Sequence, residues 1–177
     1  DVSLPADLVE EIMRIDGLDN VEIPTSISIS PSREANGYKQ VWKEKTANYL
    51  AGLGFNEIFT NSITNATYFT SEDLNKTVKL INNLSTDHNV MRPSMLETGL
   101  ESVAYNLNRK NNSLRFFEFG KTYSTQGPGK YNETDHLCLY VTGNSSEDSW
   151  KGKGIIADLY YMKGVIARLL QLLGLKN

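Results

Sequence analysis

The sequence has very little cysteine and no long apolar run. Cys138 is the one cysteine in 177 residues, which excludes an internal disulfide and a cysteine-based zinc site. No apolar run approaches the roughly 20 residues that a membrane-spanning helix needs. The sequence begins at Asp1 and shows no signal-peptide pattern. We therefore expect a piece of a longer, cytoplasmic protein.

The sequence also lacks an excess of charge of either sign. It contains 18 basic and 21 acidic residues, for a formal net charge of −3, so the chain as a whole does not attract nucleic acid. Any contact with RNA must be local. Arg109, Lys110 and Arg115 are the candidate residues for such a contact, although three cations around a helix end are more often a solvated face.

Two sequence patterns resemble a catalytic cysteine–histidine pair and a phosphate-binding loop, but each has a simpler explanation. His136 and Cys138 are two residues apart in a predicted strand, so both side chains lie on one face, as a thiol nucleophile and its base would. That strand is apolar, and we interpret Cys138 as a core residue. The segment GPGK at 127–130 lacks the remaining glycine pattern and the Ser or Thr of a phosphate-binding loop, so we predict a hairpin loop over 126–134.

The segment 80–123 predicts a helix followed by a strand. Ser94 and Glu97 have the spacing of a capping box, and an apolar stripe at helical spacing follows them. The aromatic run 114–119 predicts a strand that Gly120 ends or bends. The stripe that we expect to face the core consists of Leu96, Leu100, Val103 and Leu107.

Similar patterns predict the other elements. Helices are expected before Gly17, over 38–53 and over 158–173, and strands over 55–63, 78–81 and 136–142, the last of them buried. Strands that are adjacent in sequence favour an α+β domain, with a largely antiparallel sheet that carries helices on one face. A connector near Pro31 divides the chain into 1–30 and 31–177.

Four carboxylates lie within the first eleven residues, at Asp1, Asp7, Glu10 and Glu11. The last three occupy neighbouring positions on the predicted helix. Oxygen ligands of this kind suit magnesium, Mg²⁺. Acids near a helix N-terminus also stabilise the helix without a metal, and the spacing alone favours this second interpretation.

Three segments together resemble the beta subunit of bacterial phenylalanyl-tRNA synthetase. They read DLVEEIMRIDGLDNVEIP, GFNEIFTNSI and NNLSTDHNVMRPSMLETGLESVAYNLNR…RFFEFGKTY, and they follow one another in order. The resemblance implies that 31–177 has the antiparallel fold of class II aminoacyl-tRNA synthetases and that 1–30 ends the preceding domain. It also implies a heterotetramer of two alpha and two beta subunits, in which the alpha subunit uses ATP to attach phenylalanine to tRNA(Phe).

In this family the domain is a non-catalytic partner, and the sequence departs from a working class II site accordingly. Ser124 and Gln126 stand where the second motif has an arginine and an acid, and Gly164 does not open the third motif. The segment 38–63, with Asn61 in place of an interface proline, is the implied contact with the alpha subunit.

The resemblance also bears on ligands. It implies that Asp1, Asp7, Glu10 and Glu11 are Mg²⁺ ligands shared with the alpha subunit. We expect no catalytic or ATP-binding residue in this chain. The alternatives are an autonomous adenylate-forming ligase and an RNA-binding module.

Overall fold

The computed structural model describes residues 4–30, 37–83, 85–146 and 148–175. The chain divides into two compact units, Asp1–Ala35 and Asn36–Asn177. The predicted boundary at Pro31 lies outside the described residues, so the division into 1–30 and 31–177 stays a prediction. No helix among the described residues has both the length and the apolarity to cross a membrane.

The first unit contains helix α1, Pro5–Asp16, and a short 3-10 helix, Leu18–Asn20. Proline suits the first turn of α1 because its missing N–H would have no partner there. The Asp7 carboxylate accepts a hydrogen bond from the Leu4 N–H at 2.9 Å. Gly17 ends the helix with a φ of 96°, a conformation that favours glycine. No residue of α1 is buried.

The second unit combines two small sheets with four α-helices and one 3-10 helix among its described residues. The elements are α2 (Gly37–Gly52), β1 (Asn56–Glu57), β2 (Ile63–Thr64), a 3-10 helix (Ala66–Tyr68), α3 (Ser71–Leu74), β3 (Val90–Met91), α4 (Leu96–Leu107), β4 (Leu114–Thr125), β5 (Tyr131–Thr142) and α5 (Leu159–Leu172).

Strands β1, β4 and β5 form the larger sheet in that order, with β1 parallel and β5 antiparallel to β4. Strands β2 and β3 form an antiparallel pair. The α+β fold with a largely antiparallel sheet is therefore confirmed.

Side-chain alternation along β4 separates two apolar clusters. Phe117 faces a cluster that includes Leu50 of α2 and Val165 of α5. Phe116 faces the opposite cluster, which includes Val103 of α4. Successive strand residues point to opposite faces of a sheet, so helices cover both faces of this sheet. The prediction of helices on one face only was wrong.

The β4–β5 hairpin is longer than the sequence predicted. β4 continues beyond Gly120 to Thr125, and β5 already begins at Tyr131. Gly120 is needed for close packing, since an added Cβ would lie 2.2 Å from Nη2 of Arg92. β5 was predicted to be a buried strand, but it lies at the sheet edge, where Tyr140 is its one buried residue.

The other predicted strands are shorter than expected. Most of the segment 55–63 is irregular, with two-residue strands at β1 and the start of β2. The segment 78–81 contributes one isolated bridge, between Lys79 and Val90. In the first segment the Thr60 N–H donates to the Glu118 side chain, and in the second the Leu80 N–H donates to the Asn89 carbonyl. The helices predicted over 38–53 and 158–173 are confirmed as α2 and α5.

Helix α4 begins later than predicted, and the predicted capping box is wrong. The Ser94 hydroxyl accepts a hydrogen bond from the Leu96 N–H at 3.0 Å, and the Glu97 Oε2 atom has no hydrogen-bond partner among the described residues. Met95 is the N-cap residue. Its carbonyl accepts a hydrogen bond from the Tyr140 hydroxyl at 2.6 Å. A contact from β5 therefore sets the start of this helix.

The buried face of α4 also differs from the predicted apolar stripe. Leu96, Leu100 and Leu107 are exposed, and only Val103 of the four lies in the core. The other buried positions are Thr98 and Gly99. An added Cβ at Gly99 would lie 2.0 Å from the Tyr140 ring. Close approach to this ring, rather than leucine spacing, orients the helix.

Candidate functional site

A buried ion pair lies at the centre of the second unit. Nη1 of Arg92, just after β3, lies 3.0 Å from Oε1 of Glu118 in β4, and the two side chains are 2 % and 1 % exposed. Charges buried this deeply are tolerated only when hydrogen bonds satisfy the rest of their polar atoms. The neighbours of this pair supply those bonds.

Threonines and a backbone carbonyl complete the cluster around the ion pair. The Thr60 hydroxyl donates to Oε2 of Glu118 at 2.8 Å and accepts from Nη1 of Arg92 at 2.7 Å. Nε of Arg92 donates to the Lys121 carbonyl at 2.8 Å. Thr98 of α4 lies 3.1 Å from the Thr60 hydroxyl. Nε and Nη1 of the guanidinium are therefore engaged by groups of the protein core.

One feature of the sequence indicates a buried ion pair, although helix and strand periodicity does not detect it. Glu118 is the one acid within the apolar strand LRFFEFG. A carboxylate in such a strand needs a buried hydrogen-bonding or cationic partner. Arg92 follows an apolar pair, Val90 and Met91. The two residues are 26 positions apart, and their pairing depends on the tertiary fold.

A groove of about 690 Å³ lies beside the ion pair, between α2, the β4–β5 hairpin and the C-terminal end of α5. Three aromatic side chains from the predicted contact segment 38–63 line it, and Phe59 is 95 % exposed. The other two, Tyr38 and Trp42, are also exposed. The fold thus brings the aromatic residues of that segment to one surface, which we name the aromatic groove.

Lysines border the aromatic groove. Nζ of Lys39 lies 2.6 Å from Oδ2 of Asp135, and this hydrogen bond holds the pKa of Asp135 below its usual value. Nζ of Lys43 lies 5.6 Å from the centre of the Phe119 ring. The groove therefore combines an apolar floor with a largely cationic rim, a combination found at protein–protein interfaces.

The four predicted Mg²⁺ ligands are only partly described by the structure. Asp1 lies outside the described residues. Asp7, Glu10 and Glu11 lie on α1, where Glu11 pairs with Arg14 at 3.1 Å. Within residues 4–30, 37–83, 85–146 and 148–175, no three or more His, Cys, Asp or Glu side chains are arranged to hold a metal ion. The four-residue set stays a prediction.

The histidine and cysteine of β5 lie on one sheet face, as expected, but they engage different partners. Nε2 of His136 lies 2.8 Å from the Thr122 hydroxyl. Cys138 packs in the core cluster beneath α4. Burial raises the pKa of Tyr140, whose hydroxyl donates to the Met95 carbonyl rather than to the thiol. These contacts agree with the interpretation of Cys138 as a core residue.

The three candidate RNA-contacting cations have separate roles. Arg115 donates to the carbonyls of Leu53 at 3.1 Å and Ser145 at 2.7 Å. Arg109 lies 3.3 Å from the centre of the Tyr105 ring, and Lys110 is exposed with a φ of 67°. Because Arg115 holds two loops together, it does not join the other two cations in a phosphate-binding set.

Residues 23–177 match the sequence family described as the phenylalanyl tRNA synthetase beta chain CLM domain. The chain belongs to this family. The resemblance stated from the sequence is thereby confirmed. The chain is 40% identical over 187 residues to the phenylalanine–tRNA ligase beta subunit of Bacteroides thetaiotaomicron. It is 33% identical over 189 residues to the beta subunit of Porphyromonas gingivalis. These alignments cover 99% and 100% of this chain but 23% of each relative.

Solved structures show the same fold at low sequence identity. The chain is similar to a pyrrolysyl tRNA synthetase of Desulfitobacterium hafniense, with a TM-score of 0.58 and 20% identity over 97% of this chain and 54% of that one. It also resembles an ATP phosphoribosyltransferase regulatory subunit/histidyl-tRNA synthetase of Bacillus halodurans C. That match has a TM-score of 0.60 and 16% identity, over 88% of this chain and 40% of the other. The class II synthetase fold is confirmed.

Two of the three positions that the resemblance assigns to altered class II motifs lie on regular elements, and the third lies in the hairpin loop. Ser124 is near the end of β4 and pairs with Asn132 of β5. Gln126 begins the hairpin loop. Gly164 lies inside α5. Lys121, on the same strand as Ser124, is hydrogen-bonded to Glu133 at 2.5 Å, and this bond raises the pKa of Lys121.

Proposed function

We propose that this chain is a non-catalytic domain of a phenylalanine–tRNA ligase beta subunit. It packs on the alpha subunit, which attaches phenylalanine to tRNA(Phe) using ATP, in a cytoplasmic heterotetramer of two alpha and two beta subunits. The observation that carries the proposal is the uncharged end of β4, where Ser124 and Gln126 occupy the positions of an arginine and an acid.

Electrostatics supports the absence of catalysis in this domain. Positioned charge on a reacting phosphoryl group is worth several kcal/mol of activation free energy. A serine hydroxyl supplies no such charge. The nearby Arg92 is 2 % exposed and is held by Glu118, so it does not replace the missing arginine.

The aromatic groove is the proposed contact surface for the alpha subunit. Tryptophan and tyrosine are enriched among the residues that dominate binding energy at protein interfaces. Tyr38, Trp42 and Phe59 present this chemistry together. The resemblance implies a contact with the alpha subunit in the same segment, 38–63, and this supports the choice of the aromatic groove.

The association test compares the two tryptophans of the chain. Trp42→Ala is expected to weaken binding to the purified alpha subunit by about thirtyfold or more, the effect of losing a residue worth about 2 kcal/mol. Trp150→Ala is the matched control, because Trp150 is 92 % exposed and is not among the residues that line the groove. Isothermal titration calorimetry measures both affinities. Equal losses in the two variants would contradict the proposed contact surface.

A second assay separates the proposed role from that of an autonomous ligase. The chain alone is expected to support no phenylalanine-dependent exchange of pyrophosphate into ATP. Calorimetric binding of ATP with Mg²⁺, or measurable exchange, would favour the adenylate-forming alternative.

Asp1, Asp7, Glu10 and Glu11 are the proposed Mg²⁺ ligands. Asp7, Glu10 and Glu11 are spaced i, i+3 and i+4 on α1, which places them on one helix face. Asp1 and the alpha subunit complete the set in this proposal. Carboxylate oxygens fit the preference of Mg²⁺. The bound ion would link the two subunits by neutralising carboxylates at their contact.

Removal of the proposed ligands gives a test that does not depend on activity. Chelation of Mg²⁺ is expected to weaken association with the alpha subunit, and Glu10→Gln with Glu11→Gln is expected to abolish that Mg²⁺ dependence. Glu22→Gln, at an exposed carboxylate beyond α1, is the control. Titration calorimetry with and without Mg²⁺ measures the effect, and unchanged Mg²⁺ dependence in the double variant would exclude this site.

A further inference from the structure

One nitrogen of the buried Arg92 guanidinium, Nη2, has no hydrogen-bond partner among the described residues. The other two nitrogens are engaged. Nε donates to the Lys121 carbonyl at 2.8 Å, and Nη1 donates to Thr60 at 2.7 Å and to Glu118 at 3.0 Å. The side chain is 2 % exposed, and a charged N–H group at such depth nearly always has an acceptor. The guanidinium therefore has one donor group left for a ligand.

This unpartnered nitrogen lies at the wall of the aromatic groove. Arg92 and Gly120 both line the groove. A Cβ added at Gly120 would lie 2.2 Å from Nη2, so the missing side chain is what lets the guanidinium pack directly against the strand backbone at this wall. Phe119 and Leu137 line the same groove, and a hydrogen bond in apolar surroundings is stronger than one in water. An acceptor that fills this part of the groove would give Nη2 its partner.

The charges in the groove favour a negatively charged acceptor. Of the lysines that line it, Lys39 and Lys121 are each paired with a carboxylate of β5. Lys43 also lines the groove, and no carboxylate of the described residues lies within 4.0 Å of its Nζ atom. Because Glu118 already balances Arg92, Lys43 is the cation that remains to balance a further negative charge.

We propose that an acidic side chain of the alpha subunit enters the aromatic groove, where its carboxylate accepts a hydrogen bond from Nη2 of Arg92 and is balanced by Lys43. The inference rests on the proposed contact between this groove and the alpha subunit. Apolar groups next to the carboxylate pack against the exposed rings of Trp42 and Phe59. Hydrogen bonds to a charged acceptor are roughly twice as strong as neutral ones, so the carboxylate fixes the position of the partner in the groove.

A small aromatic carboxylate tests the chemistry of the groove in the chain alone. Indoleacetate and its neutral counterpart indoleacetamide are titrated at fixed pH and ionic strength, and NMR follows the Trp42 indole N–H and the Arg92 Nε–H. We expect the carboxylate to bind about tenfold or more tightly than the amide, the gain from a charged acceptor. No binding of the carboxylate up to about 5 mM, or equal binding of the amide, would overturn the proposal.

Variants assign the binding to Nη2 and to the unpaired lysine. Arg92→Lys keeps a cation beside Glu118 but removes Nη2, and it is expected to abolish the preference for carboxylate over amide. Lys43→Gln is expected to weaken carboxylate binding about threefold and to leave amide binding unchanged. Lys45→Gln is the control, at an exposed position of α2 that does not line the groove. Lys43→Gln alone decides if Arg92→Lys does not fold, and an unchanged preference in the folded variants would exclude this site.

Competition then connects the site to the alpha subunit. At about ten times its own Kd, indoleacetate is expected to weaken association with the purified alpha subunit about tenfold, as measured by isothermal titration calorimetry. If Trp42→Ala weakens association but neither indoleacetate nor Lys43→Gln does, the contact surface stands and the carboxylate is excluded. If the chain does not associate with the alpha subunit at all, the proposed function itself is contradicted, and the alpha-subunit carboxylate with it.

Discussion

Glu118→Gln is expected to lower the free energy of unfolding by about 3–5 kcal/mol, the usual cost of breaking a buried ion pair. The glutamine has nearly the same shape, so the loss arises from charge. It would leave the Arg92 guanidinium, 2 % exposed, without its carboxylate, and Thr60 would lose a charged acceptor. Urea denaturation followed by circular dichroism measures the change.

Two further variants show that the loss comes from the unpaired buried charge. Glu133→Gln changes an acid on the adjacent strand, in an exposed pair with Lys121, and is expected to cost at most about 1 kcal/mol. The double variant Arg92→Met with Glu118→Leu removes both charges and is expected to recover much of the stability. A loss below about 1 kcal/mol in Glu118→Gln would contradict the importance of this pair.

Gly99→Ala is expected to destabilise the chain by about 1–3 kcal/mol or more, through overpacking. The added Cβ would lie 2.0 Å from the Tyr140 ring. That ring cannot easily withdraw, because its hydroxyl is held by the Met95 carbonyl and the residue is buried. Chemical denaturation gives the free energy of unfolding.

A second helical glycine gives the matched control. Gly164 lies in α5 with no atom within 4 Å of an added Cβ. Gly164→Ala is therefore expected to stabilise the chain by about 0.5–1 kcal/mol, the ordinary gain from replacing glycine by alanine in a helix. If both substitutions stabilised the chain, the contact between α4 and the Tyr140 ring would not set this packing.

Local signals in the sequence predicted helix ends well where a nearby residue determines them. Gly17 ends α1 because its φ of 96° favours glycine. Asp158 caps α5, since its side chain accepts a hydrogen bond from the Tyr161 N–H. The start of α4 was missed because Tyr140, 45 residues away, fixes Met95. Pattern analysis does not register a contact of that kind.

The candidate site was predictable in outline but not in its contacts. The family resemblance singled out the segment 38–63, whose aromatic residues line the groove, and its assignment of Ser124 to an altered class II position stays a prediction. It did not reveal that Arg92 and Glu118 form the buried centre, because no periodicity links residues 26 positions apart. The predicted buried face of α4 was wrong for a related reason. The close approach of Gly99 to Tyr140, and not the leucine spacing, orients this helix.

β5 is an edge strand of its sheet, and its outer side is unpaired among the described residues. Among the described residues, β5 pairs with β4 alone, so alternate N–H and C=O groups along twelve residues face away from the sheet. A further strand could be added there without disturbing the order β1–β4–β5. The exposed acids Glu133 and Asp135 place charge along part of that edge, which discourages indiscriminate pairing between chains.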